Sequence, residues 1–246
     1  MNDRTYHLIA GLIRLSIWQG WQRRAHLENA GDLPASEPAI FISNHANALG
    51  PIGCVSEIPL RLYPWTRPEM LDLRTNPDYM RGDFVEKDMR LRPPLSAWVA
   101  VGLSRLVVPL LNGVGCIPAF QAEQILEKRT TVKQSLARLR EGRCLLVFPE
   151  MPDWPLDPRS GMRRFSRSVL WLAVLFHRET GERLPIYPVC VHPSHRIRLG
   201  KAMRLGKDEL GSPAQRQAWI ETLEDTIRGM YLDLEAAAAT KEERQR

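Results

Sequence analysis

The chain has 246 residues and a formal net charge of +6, with 44% hydrophobic and 25% charged residues. This balance excludes an intrinsically disordered chain, and the length suits one α/β domain better than two domains with separate cores. The positive charge favours an anionic partner, but charge alone does not separate nucleic acid, phospholipid headgroups and a phosphate-bearing co-substrate. Four scattered cysteines without Cys-x-x-Cys spacing indicate reduced thiols, and no signal-peptide pattern is found, so we expect a cytoplasmic protein.

The first segment, Tyr6 to Arg24, has the pattern of an amphipathic basic helix. Its apolar stripe comprises Leu8, Ile9, Leu12, Ile13, Ile17 and Trp21, with arginines around it. Such a helix lies at a membrane interface or packs on the core of its own domain, and the pattern leaves both interpretations open. We assign residues 1–30 to this segment and 31–235 to an α/β domain, and we expect the charged tail 236–246 to fray.

Strand-like and helix-like segments alternate through the rest of the chain. Apolar runs predict strands at 39–42, 58–63, 143–148 and 184–191, whereas 67–94 lacks periodicity and predicts a loop or broken helices. Helical patterns occur at 121–141, which ends before Gly142, at 165–178, and from the Ser212–Gln215 capping box onward. This order predicts an α/β fold with a mostly parallel central sheet flanked by helices.

The longest apolar stretch, residues 94–115, is interrupted by Arg105 and Pro109. A bilayer span needs about 20 clean apolar residues, so the stretch is marginal as a transmembrane helix. We expect it to bury against the sheet, or to line an acyl-chain groove and dip into a membrane interface, and the two uses are compatible.

Three short motifs follow or form predicted strands, where α/β proteins usually keep their chemistry. They are Ser43-Asn44-His45-Ala46-Asn47, Phe148-Pro149-Glu150 and Leu184-Pro185-Ile186-Tyr187-Pro188-Val189. In this order and spacing they resemble the motifs of the glycerolipid acyltransferase superfamily, which includes lysophosphatidic acid acyltransferases, over residues 36–206. The resemblance implies a histidine that acts as general base on an acceptor hydroxyl, which then attacks the thioester of acyl-CoA or acyl carrier protein.

The resemblance makes His45 the general base of an O-acyltransferase with a lipid-like acceptor. An imidazole with an ordinary pKa of about 6.5 is available in its neutral form at pH 7. Glu57, Glu150 or a backbone carbonyl is expected to accept the histidine N–H, and we favour Glu150 as the second catalytic residue. The predicted substrate-binding residues are Asn44, Asn47, Gln121, Phe148, Pro149, Arg163 and Arg164.

The sequence departs from the family pattern at three places in and near these motifs. Gly50 stands where the family has an aspartate five residues after the histidine, so the expected orienting carboxylate is missing. Gln121 replaces a phosphate-binding arginine, and Met151-Pro152-Asp153 replaces a Gly-Thr-Arg turn. These changes favour an acceptor without a phosphate, or a catalytically degenerate relative that binds lipids or acyl chains.

The remaining patterns concern partners. The basic cluster Arg159, Arg163, Arg164 and Arg167 suits the phosphates of coenzyme A, an acidic carrier protein, lipid headgroups, or solvent alone. Aromatic residues are not interleaved with the cluster in the way that a set of stacking platforms would be, so nucleic acid is not an expected partner. The two histidines His192 and His195 are weak evidence for a metal site, so we expect no metal and no bound cofactor. We expect a peripheral protein on the inner face of the cell membrane, and the sequence leaves the oligomeric state open.

Overall fold

The computed structural model describes residues 3–20, 26–34, 37–46, 49–87, 89–120 and 125–243. Contacts divide the chain into two units, which are Met1–Ile9 with Tyr63–Gln134, and Ala10–Leu62 with Ser135–Arg246. We refer to the first as the helical unit and to the second as the sheet unit. The assignment of residues 31–235 to one α/β domain stays a prediction.

The elements alternate between helices and strands along the described residues. In chain order they are α1 (Asp3–Gly20), β1 (His26–Glu28), β2 (Ala39–Ser43), α2 (Leu49–Glu57), β3 (Leu62–Thr66), α3 (Asn76–Met80), α4 (Leu95–Val114), β4 (Ile117–Pro118), α5 (Ile125–Arg140), β5 (Cys144–Val147), α6 (Trp171–Thr180), β6 (Leu184–His192), β7 (Arg196–Leu199), β8 (Met203–Leu205), α7 (Lys207–Leu210) and α8 (Pro213–Glu243). Single 3-10 turns lie at Ala30–Asp32, Pro68–Met70 and Arg167–Leu170, and a π turn lies at Arg81–Val85.

The sheet unit is built on three strands that are buried along their whole length. β2, β5 and β6 are runs of mainly apolar residues, as a parallel sheet with both faces covered requires. β2 pairs in parallel with β5 on one side and with β6 on the other, and Ile42 lies beside both Val147 and Pro188. The carboxyl ends of β2 and β5 therefore meet at one edge of the sheet.

The other strands of this unit extend the sheet beyond β6. β7 and β8 pair with β6 in antiparallel fashion, and β1 pairs with β7 in parallel. Glu28 on β1 forms ion pairs with Arg196 and Arg198 on β7, which hold this edge strand in place. Helices α2, α6 and α8 pack against β6. The predicted fold class, a mostly parallel sheet flanked by helices, is confirmed.

Local capping signals in the sequence set several helix boundaries correctly. α5 is followed by Gly142 and α6 by Gly181, and both glycines adopt positive φ angles of 70° and 76°. Only glycine takes this conformation at low cost, so both helices stop where the sequence indicates. The Ser212 hydroxyl accepts the backbone N–H of Gln215, and the Gln215 side chain accepts the backbone N–H of Ser212, which confirms the capping box before α8.

Other predicted boundaries differ from the structure. The strand expected at 58–63 is shifted to Leu62–Thr66, because residues 58–60 form a bend after α2. Residues 67–94 form short helical pieces, as the lack of periodicity predicted. The tail does not fray at 236, because α8 continues through Glu243. In the N-terminal segment, Leu8 and Leu12 of the predicted stripe are exposed, and Tyr6 and Ala10 beside it are buried. The side chains of Ile13, Ile17 and Trp21 lie outside those that the structure describes.

Helix α4 dominates the helical unit. It packs against α3 and the π turn through a small core of Met80, Val85 and Ala100. Among the described residues it is the one helix long and apolar enough to cross a membrane, and 22% of that window is buried. Most of this window is therefore exposed, which differs from a helix buried in the core of a protein. Burial against the sheet and the lining of an acyl-chain groove both stay predictions for α4.

Candidate active site

His45 lies two residues beyond β2, at the carboxyl edge of the parallel strands. The register that sets Ile42 beside Val147, continued for three residues, brings His45 level with Glu150. The backbone N–H of His45 donates a hydrogen bond of 2.8 Å to Glu150 Oε1. The imidazole is exposed and meets the ring of Phe148 edge-on, with 5.2 Å between centroids. The structure thus brings the first two motifs together.

Glu150 connects two separate stretches of backbone. Its Oε1 accepts the N–H of His45, and its Oε2 accepts the N–H of Arg163 at 3.3 Å. Burial raises the pKa of this carboxyl, and the two backbone donors partly oppose that shift. This hydrogen bond is made to the backbone of His45 and not to its ring, so it restrains the chain just beyond the end of β2. Glu150 thereby positions His45, and its assignment as a catalytic residue stays a prediction.

Asn44 joins the first motif to the third. Its side chain is buried, Nδ2 donates to the carbonyl of Val191 at 2.9 Å, and Oδ1 accepts the N–H of the same residue at 2.8 Å. The amide therefore continues the sheet pairing of β2 with β6 past Ser43, where the backbone turns away. This contact anchors the residue before His45, and the predicted contact of Asn44 with substrate stays a prediction.

Gly50 occupies a position where the backbone approaches His45 too closely for a side chain. Its N–H donates to the carbonyl of His45 at 3.1 Å, which closes the turn into α2. A Cβ at this position would lie 2.1 Å from that carbonyl oxygen and 2.8 Å from its carbon. Both distances are much shorter than van der Waals contact. This backbone therefore has no room for a side chain at position 50, where the family pattern has an aspartate.

The loop between Glu150 and Phe165 is closed on itself by Arg163. The guanidinium Nη1 donates to the carbonyls of Pro152 and Trp154, and the backbone N–H of Met151 donates to the carbonyl of Arg164. The Arg164 guanidinium lies 5.5 Å from the centre of the Trp154 ring and is exposed. Of the two predicted substrate-binding arginines, Arg163 donates hydrogen bonds to carbonyl groups of the loop, whereas the side chain of Arg164 is exposed to solvent.

Glu224, a buried acidic residue on α8, holds the end of this loop, and the sequence analysis did not identify it. Glu224 Oε2 accepts the N–H of Phe165 at 3.1 Å, and its Oε1 accepts from Arg228 at 2.6 Å. Arg228 also forms an ion pair of 3.3 Å with Asp157 in the loop. The spacing of four residues between Glu224 and Arg228 predicts an ion pair between them on one face of the helix. It does not predict the hydrogen bond from Glu224 to the loop, which is distant in sequence.

The remaining predicted site residues lie beside the imidazole or outside the described ranges. Pro149 is buried and its carbonyl accepts the N–H of Ser166 at 2.8 Å, while Phe148 is half-buried beside the imidazole. Asn47 and Gln121 lie outside the described residues. No group of three or more histidine, cysteine or acidic side chains in the described part of the chain is arranged to hold a metal ion.

The cysteine closest to the site is chemically inert. Cys54 on α2 is buried with its thiol 3.9 Å from the Ser43 hydroxyl, and burial raises its pKa to about 12. A thiol with this pKa is not ionised at neutral pH, and the thiolate is the nucleophilic form. All four cysteines are free. The exposed imidazole of His45 is therefore a better candidate than Cys54 for chemistry at this edge.

We expect Gly50→Ala and Gly50→Asp both to lower the free energy of unfolding. Each adds a Cβ against the His45 carbonyl, and overpacking of this kind costs about 1–3 kcal/mol. Gly229→Ala on α8 is the matched control, because a methyl group added there would meet nothing within 4 Å, and helix propensity favours alanine by up to about 1 kcal/mol. Urea unfolding measures all three. A Gly50→Ala protein as stable as the parent would contradict the close approach.

Glu150→Gln tests the buried carboxyl. Because burial raises its pKa in the folded state above the ordinary value of 4.5, the stability that this group contributes is present below pH 4.5 and is lost as pH rises through the folded pKa. The stability of the parent relative to the glutamine variant should therefore fall with rising pH. Losing a carboxylate oxygen from one backbone N–H adds a cost of about 1–3 kcal/mol to the variant.

The measurement is urea unfolding of the parent and Glu150→Gln over a series of pH values. Glu182→Gln, at an exposed position after α6, is the matched control for replacing a glutamate. A parent-minus-variant difference that increased with pH would show that the hydrogen bonds to the carboxylate outweigh its burial, which is the opposite of the expected balance.

Comparison with known proteins identifies a solved structure of the same fold. No protein-family model and no curated protein matches the chain. The crystal structure of the 1-acyl-sn-glycerophosphate (LPA) acyltransferase PlsC from Thermotoga maritima matches it with a TM-score of 0.59 and 13% identity, over 96% of this chain and 84% of that chain. Identity at this level establishes the fold alone. The chain therefore has the fold of a glycerolipid acyltransferase, as its three motifs predicted.

Proposed function

We propose that the chain is an O-acyltransferase that moves a fatty acyl group from acyl-CoA or acyl carrier protein to a hydroxyl of a lipid-like acceptor. The observation that carries this proposal is the exposed imidazole of His45, held at the end of β2 by the hydrogen bond from its backbone to Glu150. The shared fold with PlsC, whose name describes an acyltransferase, supports the same class of reaction.

In the proposed reaction, His45 takes the proton of the acceptor hydroxyl as the oxygen attacks the thioester carbonyl. The tetrahedral intermediate then collapses, the C–S bond breaks, and the imidazolium returns the proton to the departing thiolate. An ester and a free thiol are formed, and the neutral imidazole is restored. General-base catalysis of this kind contributes about 100- to 10,000-fold to the rate.

The contacts around His45 serve this role by restricting its backbone. Asn44 is clamped to β6 on one side, Glu150 holds the His45 N–H, and the Gly50 N–H holds the His45 carbonyl. Three consecutive restraints leave the residue little freedom before a substrate arrives. A fixed base lowers the entropy that must be lost in the transition state, which is the main contribution of a rigid strand end to catalysis.

The proposed acceptor carries no phosphate. Gln121 replaces the arginine expected for phosphate, and Met151 begins a loop without the second expected arginine. Arg163 does not compensate, because its guanidinium is directed to the carbonyls of Pro152 and Trp154. The exposed Arg164 is proposed to contact the donor, whose phosphates or acidic carrier would pair with it. Asn47 and Phe148 are proposed to border the acyl and acceptor groups beside His45.

A second candidate function, a non-catalytic protein that binds lipids or acyl chains, is favoured by the geometry at Gly50. In serine hydrolases, removal of the carboxylate that orients the histidine costs about 10,000-fold in rate. The close approach of Gly50 to His45 excludes a carboxylate at the family's position. The two candidates differ in one property, which is turnover of a thioester with formation of an acylated product.

His45→Ala is expected to lower acyl transfer by at least about 100-fold, because the general base is removed. The side chain is exposed, so the variant should unfold at the same urea concentration as the parent. His26→Ala, which replaces an exposed histidine on β1, is the matched control and should retain full activity. The assay incubates the protein with labelled acyl-CoA and a lipid extract, and identifies the labelled product by mass.

Three other outcomes of this assay would redirect the assignment. Equal transfer by parent and His45→Ala would show that His45 is not the base. Loss of the thioester without an acylated product would identify a hydrolase that uses water. Binding of acyl-CoA without any turnover in the parent protein would favour the non-catalytic candidate.

A further inference from the structure

Helix α4 fully buries small side chains and exposes several large apolar ones, and its one charged residue, Arg105, is exposed as well. The buried side chains recur every four residues and are small, with Ser96, Ala100 and Ser104 followed by Val108. The outward side carries the large apolar residues Leu95, Trp98, Val101 and Leu106. A helix packed on a core in water buries its large apolar residues and exposes its serines, so the environment of the outer face is not expected to be water.

The large apolar side chains on the outer face of α4 are highly exposed. Trp98 is 78% exposed and Leu106 is 68% exposed, two turns apart on the same helix. Single apolar side chains on a surface are normal, but several large ones along one helix indicate an interaction surface. We call Leu95, Trp98, Val101 and Leu106 the apolar row, and Gly102 and the exposed Arg105 lie among them in the sequence.

The buried hydroxyl groups on the inner face of α4 are hydrogen-bonded. The Ser96 hydroxyl donates to Glu86 at 2.8 Å, and the Ser104 hydroxyl donates to the carbonyl of Ala100 at 2.7 Å. Both buried polar groups are therefore satisfied within the helical unit. The small residues allow α4 to approach α3 and the π turn closely, which is the packing that helices use when their surroundings are apolar.

Basic side chains flank the apolar row at a position that suits negatively charged headgroups. Lys87, Arg90 and Arg92 are exposed just before α4, and Arg105 is exposed within it. The acidic residues Asp83 and Glu86 are engaged by Arg67 and Arg81, respectively. Long basic side chains beside an apolar face reach outward to headgroups while their stems remain in the apolar layer.

We propose that the outer face of α4 lies in the interfacial layer of an anionic lipid bilayer, with the helix parallel to the membrane plane. A spanning orientation is disfavoured, because α3 packs along α4 and would carry the charged Asp78 and Arg81 into the hydrocarbon. In the plane of the interface, the apolar row enters the acyl region and the charged elements behind it stay in water. This surface is independent of acyl transfer, because it does not involve His45.

The test is co-sedimentation of the full chain with phosphatidylcholine vesicles that do or do not contain phosphatidylglycerol. The parent should bind, and more strongly with phosphatidylglycerol. Joint replacement Trp98→Ser and Leu106→Ser should weaken binding at least about tenfold, since each buried apolar side chain contributes a factor of that order. Leu73→Ser is the matched control in the same unit, because Leu73 is half exposed but lies outside α4, and it should bind as the parent does.

Two further measurements separate a lipid surface from other occupants. Joint replacement Arg90→Ser and Arg92→Ser should weaken binding to vesicles with phosphatidylglycerol and leave binding to pure phosphatidylcholine unchanged. Lipids with brominated acyl chains should quench the fluorescence of the parent more than that of Trp98→Phe. Thermal unfolding followed by circular dichroism should be the same for all variants, because the replaced side chains are exposed.

The proposal is overturned if the parent does not sediment with either kind of vesicle. It is also overturned if the Trp98 and Leu106 double variant binds vesicles as well as the parent. A double variant that converts a dimer into a monomer without changing vesicle binding would show that a second copy of the chain covers the face. Loss of vesicle binding with unchanged acyl transfer to a detergent-dispersed acceptor would support the membrane surface and leave the proposed reaction standing.

Discussion

The hydrogen bond from the backbone of His45 to the carboxyl of Glu150 is the contact on which the site depends. It exists because β2 and β5 are parallel and in a register that brings both residues to the same level at the edge of the sheet. The same carboxyl holds the N–H of Arg163, and Glu224 holds the N–H of Phe165 at the end of the same loop. The loop and the histidine thus share the carboxyl of Glu150, and Glu224 holds the end of the loop separately, so a change in Glu150 affects both His45 and Arg163.

Packing and chemistry compete at the turn after His45. Closing this turn brings the Gly50 N–H to the His45 carbonyl, and the approach leaves no room for a Cβ. The structure therefore gains a backbone restraint on His45 and gives up the position from which a carboxylate would orient its imidazole. Preorganisation of the backbone and orientation of the ring are separate contributions to general-base catalysis. In this chain the contacts of Asn44, Glu150 and Gly50 restrain the backbone at His45.

The sequence predicted those parts of the molecule that local residues determine. Continuous apolar runs identified β2, β5 and β6, and Gly142 and the Ser212 capping box identified helix ends, because each signal acts within a few residues. The support of Phe165 by Glu224 joins residues far apart in the chain, and no local pattern encodes it. The resemblance identified His45 and Glu150, but the backbone contact between them required the strand register.

Helix α4 shows why periodicity alone does not identify the buried face of a helix in the helical unit. A periodic pattern indicates which residues share a face, but the choice of the buried face assumes that water lies outside. In α4 the serines face the protein and the tryptophan faces outward, so the assumption assigns the two faces in the wrong order. α1 shares this property in part, since Leu8 and Leu12 are exposed while Tyr6 is buried. Among their described side chains both helices expose large apolar residues, so for each of them a pattern that assumes water on the outside would select the wrong face.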